Sequence, residues 1–393
     1  MQKLGLTICL LLFCLLAGWR VRAQAVYYNG CSPVISQNTL DTVSTNGANQ
    51  SILFTATGPD QNRVFRCTAL AVDALNGKLL LLDGTARALW ILNLDGSGLT
   101  LVISGLTNFP TDLALDVLNQ EIYYTTSSTV QDNNTVQRVN YAGNNNTTLF
   151  TATGAPEDDA ISRCTAIAVD VAHSKIFVAD AGARKIWSMD LAGGGVVPLV
   201  TATNSFPTDL ALDEANQQVY FTLSSTVQNS NRIQRMNYDG SGLITLFTAS
   251  GGVQRCTALD LDLTHDGIYL SDAGANTLWR IPTSGGSATP VLSGLTATAK
   301  KVRWFSGTEA SSASFSPDIV SLSFSRTNVT LNATNGLAGG TYYVLTSTNL
   351  TLPLSQWSLV STSILGAGGP FTITATNAFT HNTPFQFYTL RLQ

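Results

Sequence analysis

From residue 66 onward, the chain consists mostly of short runs. Within each run, residues of different size or polarity alternate. The segment 69–73 alternates small and large apolar residues, and further apolar runs follow at 78–82, 89–94 and 99–103. Runs of this length predict β-strands, and Gly-containing turns such as Asn76-Gly77 predict the reversals between them. The pattern therefore predicts an all-β fold made of groups of four short antiparallel strands.

This four-strand group recurs in two alternating forms. One form begins with Arg-Cys-Thr-Ala, at Arg66, Arg163 and Arg255. The other begins with Phe-Pro-Thr-Asp, at Phe109 and Phe206. Each unit is about 40 to 50 residues long, which is the length of a β-propeller blade. The alternation indicates that a pair of blades was duplicated.

The count of units predicts how the ring closes. Five complete blades begin at residues 67, 110, 164, 207 and 256. The segment 27–56 matches the three outer strands of a sixth blade, and the segment 300–305 matches its missing innermost strand. Such an exchange leaves no open sheet edge. We therefore predict a six-bladed β-propeller over residues 26–306, whose first blade is closed by a C-terminal innermost strand.

The N-terminus has the pattern of a signal peptide over residues 1–25. An apolar run at 4–16 precedes the small residues of Ala23-Gln24-Ala25, which predict a cleavage site. The run is too short for a permanent membrane span. We therefore expect a secreted protein, extracellular or at the cell surface.

Residues after the propeller predict a second domain. Residues 307–316 are small and polar and predict a linker. Strand patterns at 319–324, 342–346, 357–361, 371–374 and 385–392 then predict a β-sandwich over residues 317–393.

Composition narrows the classes of partner. Only 12% of the residues are charged, and the net charge of −4 is spread along the chain. This leaves neither a basic face for nucleic acid nor a polybasic membrane patch. An extracellular protein or carbohydrate is the expected partner.

Several motifs resemble known repeats. The run Leu-Ala-Val-Asp at 70–73, the strand end Leu-Leu-Asp at 81–83 and Asn-Leu-Asp-Gly at 93–96 resemble the YWTD repeats of LDL-receptor class B propellers. They are also similar to NHL and TolB-like propellers. No blade contains Tyr-Trp-Thr-Asp itself, so the ligands of the receptor propellers are not implied. The run 336–350 resembles small C-terminal modules on exported proteins of Verrucomicrobia-type bacteria.

The candidate binding surface is the face on which the loops between blades and the loops between the second and third strands emerge. We call it the top face and its opposite the bottom face. Long loops are predicted there at 55–66, 127–134, 151–163 and 224–231, and loops on a rigid frame accumulate binding residues. The candidate ligand-binding residues are Arg66, Arg163, Arg255, Asp112, Asp209, Lys300 and Lys301. The alternative role for this set is a rim held by ion pairs.

Two further sets have structural and functional alternatives. Cys67, Cys164 and Cys256 recur at one position and are either packed thiols or a functional set, namely a metal site or a ring of reactive thiols. Alternate blades are too far apart for disulfides between them. The pairing of Cys31 stays open. The recurring Trp90, Trp187 and Trp279 either pack between blades or stack on a sugar.

Catalytic signals are scarce. The chain has three His, and two of them, His173 and His265, fall in predicted bottom-face turns. No nucleophile elbow, phosphate loop or HExxH motif is present, so no catalytic residue, cofactor or metal is predicted. The leading hypothesis is a monomeric, non-enzymatic binding or scaffold protein. The alternative is a metal-assisted lactonase or lyase that uses Asp112 and Asp209.

Overall fold

The computed structural model describes most of the chain in two compact units, Met1–Thr308 and Glu309–Gln393. The predicted signal peptide up to residue 23 and the predicted linker lie outside the described residues. Within the described part, no helix is long and apolar enough to cross a membrane. The described residues are 24–60, 62–128, 134–152, 161–202, 204–305, 318–325, 327–336, 341–349, 357–365, 369–378 and 386–392.

The first unit consists of short strands joined by turns, with single-turn 3₁₀ helices at Ile35–Gln37, Gly58–Asp60, Gln228–Ser230 and Leu263–His265. The strands are β1 (Ala25–Cys31), β2 (Thr39–Ser44), β3 (Ser51–Thr55), β4 (Cys67–Asp73), β5 (Lys78–Asp83), β6 (Ala88–Asn93), β7 (Thr100–Ile103), β8 (Phe109–Asp116), β9 (Glu121–Ser127), β10 (Thr135–Asn140), β11 (Thr147–Thr151), β12 (Cys164–Asp170), β13 (Lys175–Asp180), β14 (Lys185–Asp190), β15 (Val197–Thr201), β16 (Phe206–Asp213), β17 (Gln218–Ser224), β18 (Arg232–Asn237), β19 (Ile244–Thr248), β20 (Cys256–Asp262), β21 (Gly267–Asp272), β22 (Thr277–Ile281), β23 (Thr289–Ser293) and β24 (Thr298–Phe305).

These strands form six four-stranded antiparallel sheets, which confirms the six-bladed propeller. Blade I has the order β24-β1-β2-β3, and blades II to VI each take four consecutive strands from β4 to β23. In blade I, Val302 of β24 lies opposite Tyr28 of β1. The innermost strand of the first blade therefore comes from the C-terminal end of the propeller, as predicted, and it begins two residues earlier than expected.

Each innermost strand carries a β-bulge at the same place. The register shifts around one residue near the top of every such strand, and a bulge of this kind changes the direction of the side chains that follow. The bulged residues are Thr68, Thr111, Thr165, Thr208, Thr257 and, in blade I, Lys300. The shared bulge brings Asp112, Asp209 and Lys301 to equivalent positions, one residue further along their strands.

Hydrophobic cores lie between neighbouring blades rather than within one sheet. Trp90 packs in the cluster that joins blades I and II, Trp187 in the cluster that joins blades III and IV, and Trp279 against the cluster of blades V and VI. Because both faces of a blade are covered, strand residues such as Leu80 and Leu81 are both fully buried. The burial of Trp90 and Trp187 supports the structural alternative for these two tryptophans, whereas Trp279 is half-buried.

A glycine in the turn between the third and fourth strands sets the distance between blades. Gly96 has φ +86°, and a Cβ atom on it would lie 2.1 Å from the carbonyl oxygen of Leu53 in the preceding blade. The same close approach to the preceding blade recurs at Gly47, Gly143, Gly193, Gly240 and Gly285. A side chain at these positions would push two blades apart.

The second unit contains two three-stranded sheets around one core, which confirms the β-sandwich. Its strands are β25 (Asp318–Ser325), β26 (Asn328–Gly336), β27 (Thr341–Ser347), β28 (Ser358–Ile364), β29 (Gly369–Ala375) and β30 (Phe387–Leu392), in the orders β25-β26-β29 and β28-β27-β30. Leu331, Tyr342, Val344 and Ile373 belong to the shared core. Strand β26 was absent from the sequence prediction.

Candidate functional site

A buried ion cluster joins the innermost strands of three blades. The Nζ atom of Lys301 donates to Oδ2 of Asp112 at 2.7 Å and also to Oδ1 of Asp209. Asp112 and Asp209 are fully buried, and Lys301 is 3% exposed. One ammonium group thus binds two carboxylates that belong to blades III and V.

Backbone groups fix both carboxylates. Asp112 Oδ2 accepts from the backbone N–H of Ile167 at 3.0 Å, and Asp209 Oδ2 accepts from that of Leu259 at 3.1 Å. Each aspartate therefore bonds to the innermost strand of the following blade. The backbone N–H of Lys301 in turn donates to Oδ1 of Asn29 at 2.7 Å. Charges buried at this depth are stable only when they are paired in this way.

A second charged pair lies two residues further along the strands. Arg303 approaches Asp112 Oδ1 at 3.9 Å and Asp209 Oδ2 at 3.7 Å, and Asp260 Oδ2 accepts from the backbone N–H of Trp304 at 2.6 Å. Burial raises the pKa of Asp260 to about 6, against the lowering effect of the Arg303 guanidinium. The cluster thus contains three carboxyl groups and two cationic side chains.

The environment of three candidate residues differs from the one expected from the sequence. Asp112, Asp209 and Lys301 do come together, but they are buried and bonded to each other instead of lining an open polar mouth. The ammonium of Lys301 lies where a cation shared by the two carboxylates would bind. In the described part of the chain, no group of three or more His, Cys, Asp or Glu side chains is arranged to hold a metal ion.

The top face holds the three predicted arginines at equivalent positions. The backbone N–H groups of Arg66, Arg163 and Arg255 donate to buried carboxylates at the ends of second strands, at 3.1, 2.9 and 2.8 Å. The side chains of Arg163 and Arg255 are exposed and that of Arg66 is half-buried. Lys300 belongs to β24, and its side chain lies outside the described residues.

Two phenylalanines occupy the same position in the alternate blades. Phe109 is 37% exposed and Phe206 is 41% exposed. The guanidinium carbon of Arg184 lies 4.9 Å from the centre of the Phe206 ring, within cation–π distance. Arginine and exposed phenylalanine therefore alternate around the top face of blades II to VI.

The exposed charges of the described propeller residues are segregated between the two faces. Exposed cationic side chains belong to top-face loops and strand starts, namely Arg63, Arg87, Arg163, Arg184 and Arg255. Exposed acidic side chains belong to bottom-face turns, namely Asp95, Asp190, Glu214, Asp239 and Asp266. The described part of the top face is therefore cationic despite the negative net charge.

The long top-face loops are described in part. Loop 224–231 contains a 3₁₀ turn, with Asn231 buried and bonded to the carbonyl of Ser225 at 2.9 Å. The matching loop around Ile35 has the same buried asparagine at Asn38. Exposed Val34 and Val227 occupy equivalent places in these loops. Residues 129–133 and 153–160 of the other two loops lie outside the described residues.

A groove of about 790 Å³ lies on the bottom face between blades IV and V. Its polar walls are already paired: His173 Nδ1 lies 2.7 Å from Asp170, and the Tyr238 hydroxyl donates to the same carboxylate at 2.8 Å. Gln217 also contacts His173 at 3.2 Å. The groove is polar, and these contacts hold the turn that forms its wall.

The four described cysteines are free and buried. Burial raises the pKa of Cys67, Cys164 and Cys256, which favours the neutral thiol over a metal-binding thiolate. Cys31 ends β1, and its Sγ accepts from Nε of Arg66 at 3.2 Å. The recurring cysteines are packed side chains, which supports the structural alternative.

Comparisons with known proteins agree with this architecture. No family model matches the chain. A chain from a nidogen/laminin complex is similar at 14% identity and a TM-score of 0.58, over 72% of this chain and 98% of that one. TolB from Acinetobacter baumannii is similar at 12% identity and a TM-score of 0.54, over 72% of this chain and 66% of TolB. These likenesses define the class of the protein as a β-propeller and, at such identities, establish the fold alone.

Proposed function

We propose that the chain is an exported, monomeric, non-enzymatic binding protein that recognises a protein partner through the top face of its propeller. The observation that carries the proposal is the alternation of Arg66, Arg163 and Arg255 with exposed Phe109 and Phe206 around one face. Arginine and aromatic residues are enriched at protein interfaces, and exposed apolar side chains are stabilised by an apolar partner.

Two further points support a protein partner. One structural neighbour is named as a complex between nidogen and laminin, so this fold takes part in a protein assembly there. A sugar-stacking role for Trp90 and Trp187 is disfavoured, since the two side chains are 8% and 2% exposed.

The contacts of Asp112 and Asp209 do not favour the alternative of a lactonase or lyase. Catalysis by Asp112 and Asp209 would require a bound cation between them, and the Lys301 ammonium already bonds to both carboxylates. We therefore propose that these three residues stabilise the propeller and that Arg66, Arg163 and Arg255 bind the partner.

The experiment is a capture of extracellular proteins on the immobilised mature protein. Replacing Arg66, Arg163 and Arg255 together by Ala should abolish capture with little change in melting temperature. In the matched control, the bottom-face cations Lys78 and Lys175 are replaced by Ala, and this variant should still capture the partner. Loss of capture in the control alone would show that the bottom face binds the partner.

A further inference from the structure

Two of the top-face arginines are oriented by the blade before them. Nε of Arg66 donates to Cys31 Sγ, and Nε of Arg255 donates to Ser224 Oγ, both at 3.2 Å. Cys31 and Ser224 end β1 and β17, so the two acceptors are equivalent. Ser127 ends β9 at the corresponding place before Arg163. The same hydrogen bond is thus formed at two equivalent positions, and a serine occupies the third.

The orientation leaves the terminal nitrogens of the guanidinium groups available. Among the described residues, no hydrogen bond is formed by the Nη atoms of Arg66 or Arg255. A guanidinium has five N–H donors in a planar fork, and the edge formed by its two Nη atoms matches a carboxylate. Fixing the side chain through Nε beforehand reduces the entropy lost when an acceptor binds.

Apolar side chains lie in the elements that flank these arginines. Val34 and Val227 are 51% and 57% exposed in the loops that directly follow the Nε acceptors Cys31 and Ser224. Phe206, at the start of β16 in blade V, is also exposed. A highly charged glycan has few apolar groups to cover such residues, whereas a protein surface has both carboxylates and apolar side chains.

Charge supports the same class of partner. Every exposed charged side chain among the described top-face residues is cationic, and the exposed acidic side chains are on the bottom face. Complementary potentials accelerate encounter and exclude partners of like charge. The described charges therefore favour a carboxylate-bearing partner at the three arginines over one at the bottom face; the top-face segments 129–133 and 153–160, which carry Asp132, Glu157, Asp158 and Asp159 in the sequence, lie outside the described residues.

We infer that the partner is a protein segment in which acidic side chains alternate with apolar ones, its carboxylates bound by Arg66, Arg163 and Arg255 and its apolar groups packed beside the valine-tipped loops. The inference rests on the proposed function and names the chemistry of the partner. Cys31 and Ser224 are then positioning residues, because they act only through the arginines.

The test uses the mature full-length protein and immobilised synthetic peptides. The probe alternates glutamate and leucine, and the comparison peptides alternate glutamate with serine or lysine with leucine. Binding to the glutamate–leucine peptide should be tightest and should weaken with salt. Changing all three arginines to Ala should weaken it by roughly 100-fold or more, and changing them to Lys by roughly tenfold, because the charge remains but the fork is lost.

The positioning residues supply a matched pair of variants. Ser224→Ala and Cys31→Ala should each weaken binding several-fold without a change in charge. Cys31→Ser should bind like the original protein, since serine is the natural acceptor at the equivalent place in blade V. A merely structural role would change the melting temperature in both Cys31 variants and leave affinity unchanged, and that result would overturn the positioning role.

Other occupants give different results. Tighter binding to heparin that the Arg→Lys variant retains would identify an anionic glycan. Arginine-dependent self-association in sedimentation would identify a second copy of the chain. Either result overturns the inference, as does failure of all three peptides. If the peptides fail while extracellular capture still requires the arginines, the proposed function stands and only the acidic partner is wrong.

Discussion

Lys301 donates a hydrogen bond to Asp112 at 2.7 Å across 189 residues of sequence. Lys301 belongs to β24, which completes blade I, whereas Asp112 belongs to the innermost strand of blade III. The strand that closes the ring by backbone pairing with β1 therefore also forms ion pairs with blades that are not its neighbours. The eight residues of β24 therefore both close the ring of blades and pair with the buried carboxylates.

Truncation tests the closure directly. A chain that ends after Leu295 lacks β24, so blade I loses its innermost strand and Asp112 and Asp209 lose their cation. We expect it to unfold at a much lower temperature than a chain that ends after Thr308. Differential scanning calorimetry measures both. Equal and equally cooperative transitions would disprove closure by β24.

Removal of the central cation tests the ion cluster. Lys301→Met leaves two buried carboxylates without their shared partner, and breaking a buried pair on one side costs about 3–5 kcal/mol. Adding Asp112→Asn and Asp209→Asn should recover part of this loss, because the uncompensated charges are removed. Denaturant unfolding measures the free energies, and a triple variant less stable than Lys301→Met would contradict the account.

The pH dependence of stability tests the setting of Asp260. Burial raises its pKa from 3.8 to about 6, so the folded chain holds a proton that the unfolded chain releases between these values. The contribution of this group to stability therefore falls as the pH rises from about 4 to about 6 and is constant at higher pH, where both states are deprotonated. The free energy of unfolding of the original protein minus that of Asp260→Asn should decrease from about pH 4 to about pH 7, by at most about 3 kcal/mol. Asp239→Asn should show no such decrease, because the exposed carboxylate of Asp239 accepts hydrogen bonds from Ser241 that lower its pKa.

The propeller was predictable because its blades have repeated sequence motifs. Alignment of the units located the missing strand of blade I, since the spacing of 295–305 follows that of a complete blade start. Strand β26 was missed because Asn328, Asn332 and Asn335 suggest turns. Its alternation is nevertheless present, as Val329, Leu331 and Ala333 are all buried.

Three residues of the ion cluster were singled out from the sequence, but their burial and their bonds to each other were not predicted. Asp112, Asp209 and Lys301 stand where other blades have alanine, which marks them as unusual. Whether such residues face a solvent-filled mouth or pair in the interior depends on distances across the ring, which no local pattern encodes. Asp260 and Arg303 carried the same signal, since the equivalent positions in the other four blades are all alanine.

Two glycines allow the spacing of blades to be tested with a matched control. Gly77 and Gly96 both have positive φ, at +66° and +86°, but only Gly96 lies against a neighbouring backbone. Gly77→Ala should cost about 1–2 kcal/mol from the backbone conformation alone. Gly96→Ala should cost roughly 1–3 kcal/mol more, since its Cβ would overlap Leu53. Equal losses in thermal unfolding would show that the close approach is not limiting.

The recurring thiols should be inert while the propeller is folded. Cys67, Cys164 and Cys256 are fully buried, and burial raises the pKa of each thiol. Both effects suppress the thiolate, which is the species that reacts with alkylating reagents. Native protein treated with iodoacetamide should therefore stay unmodified at these positions, whereas protein unfolded in denaturant should be modified at all three. Peptide mass spectrometry without reduction should show no bridge among them, because the blades that carry them are not adjacent. Rapid modification of the native thiols, or any such bridge, would mean that the three innermost strands are not packed as described.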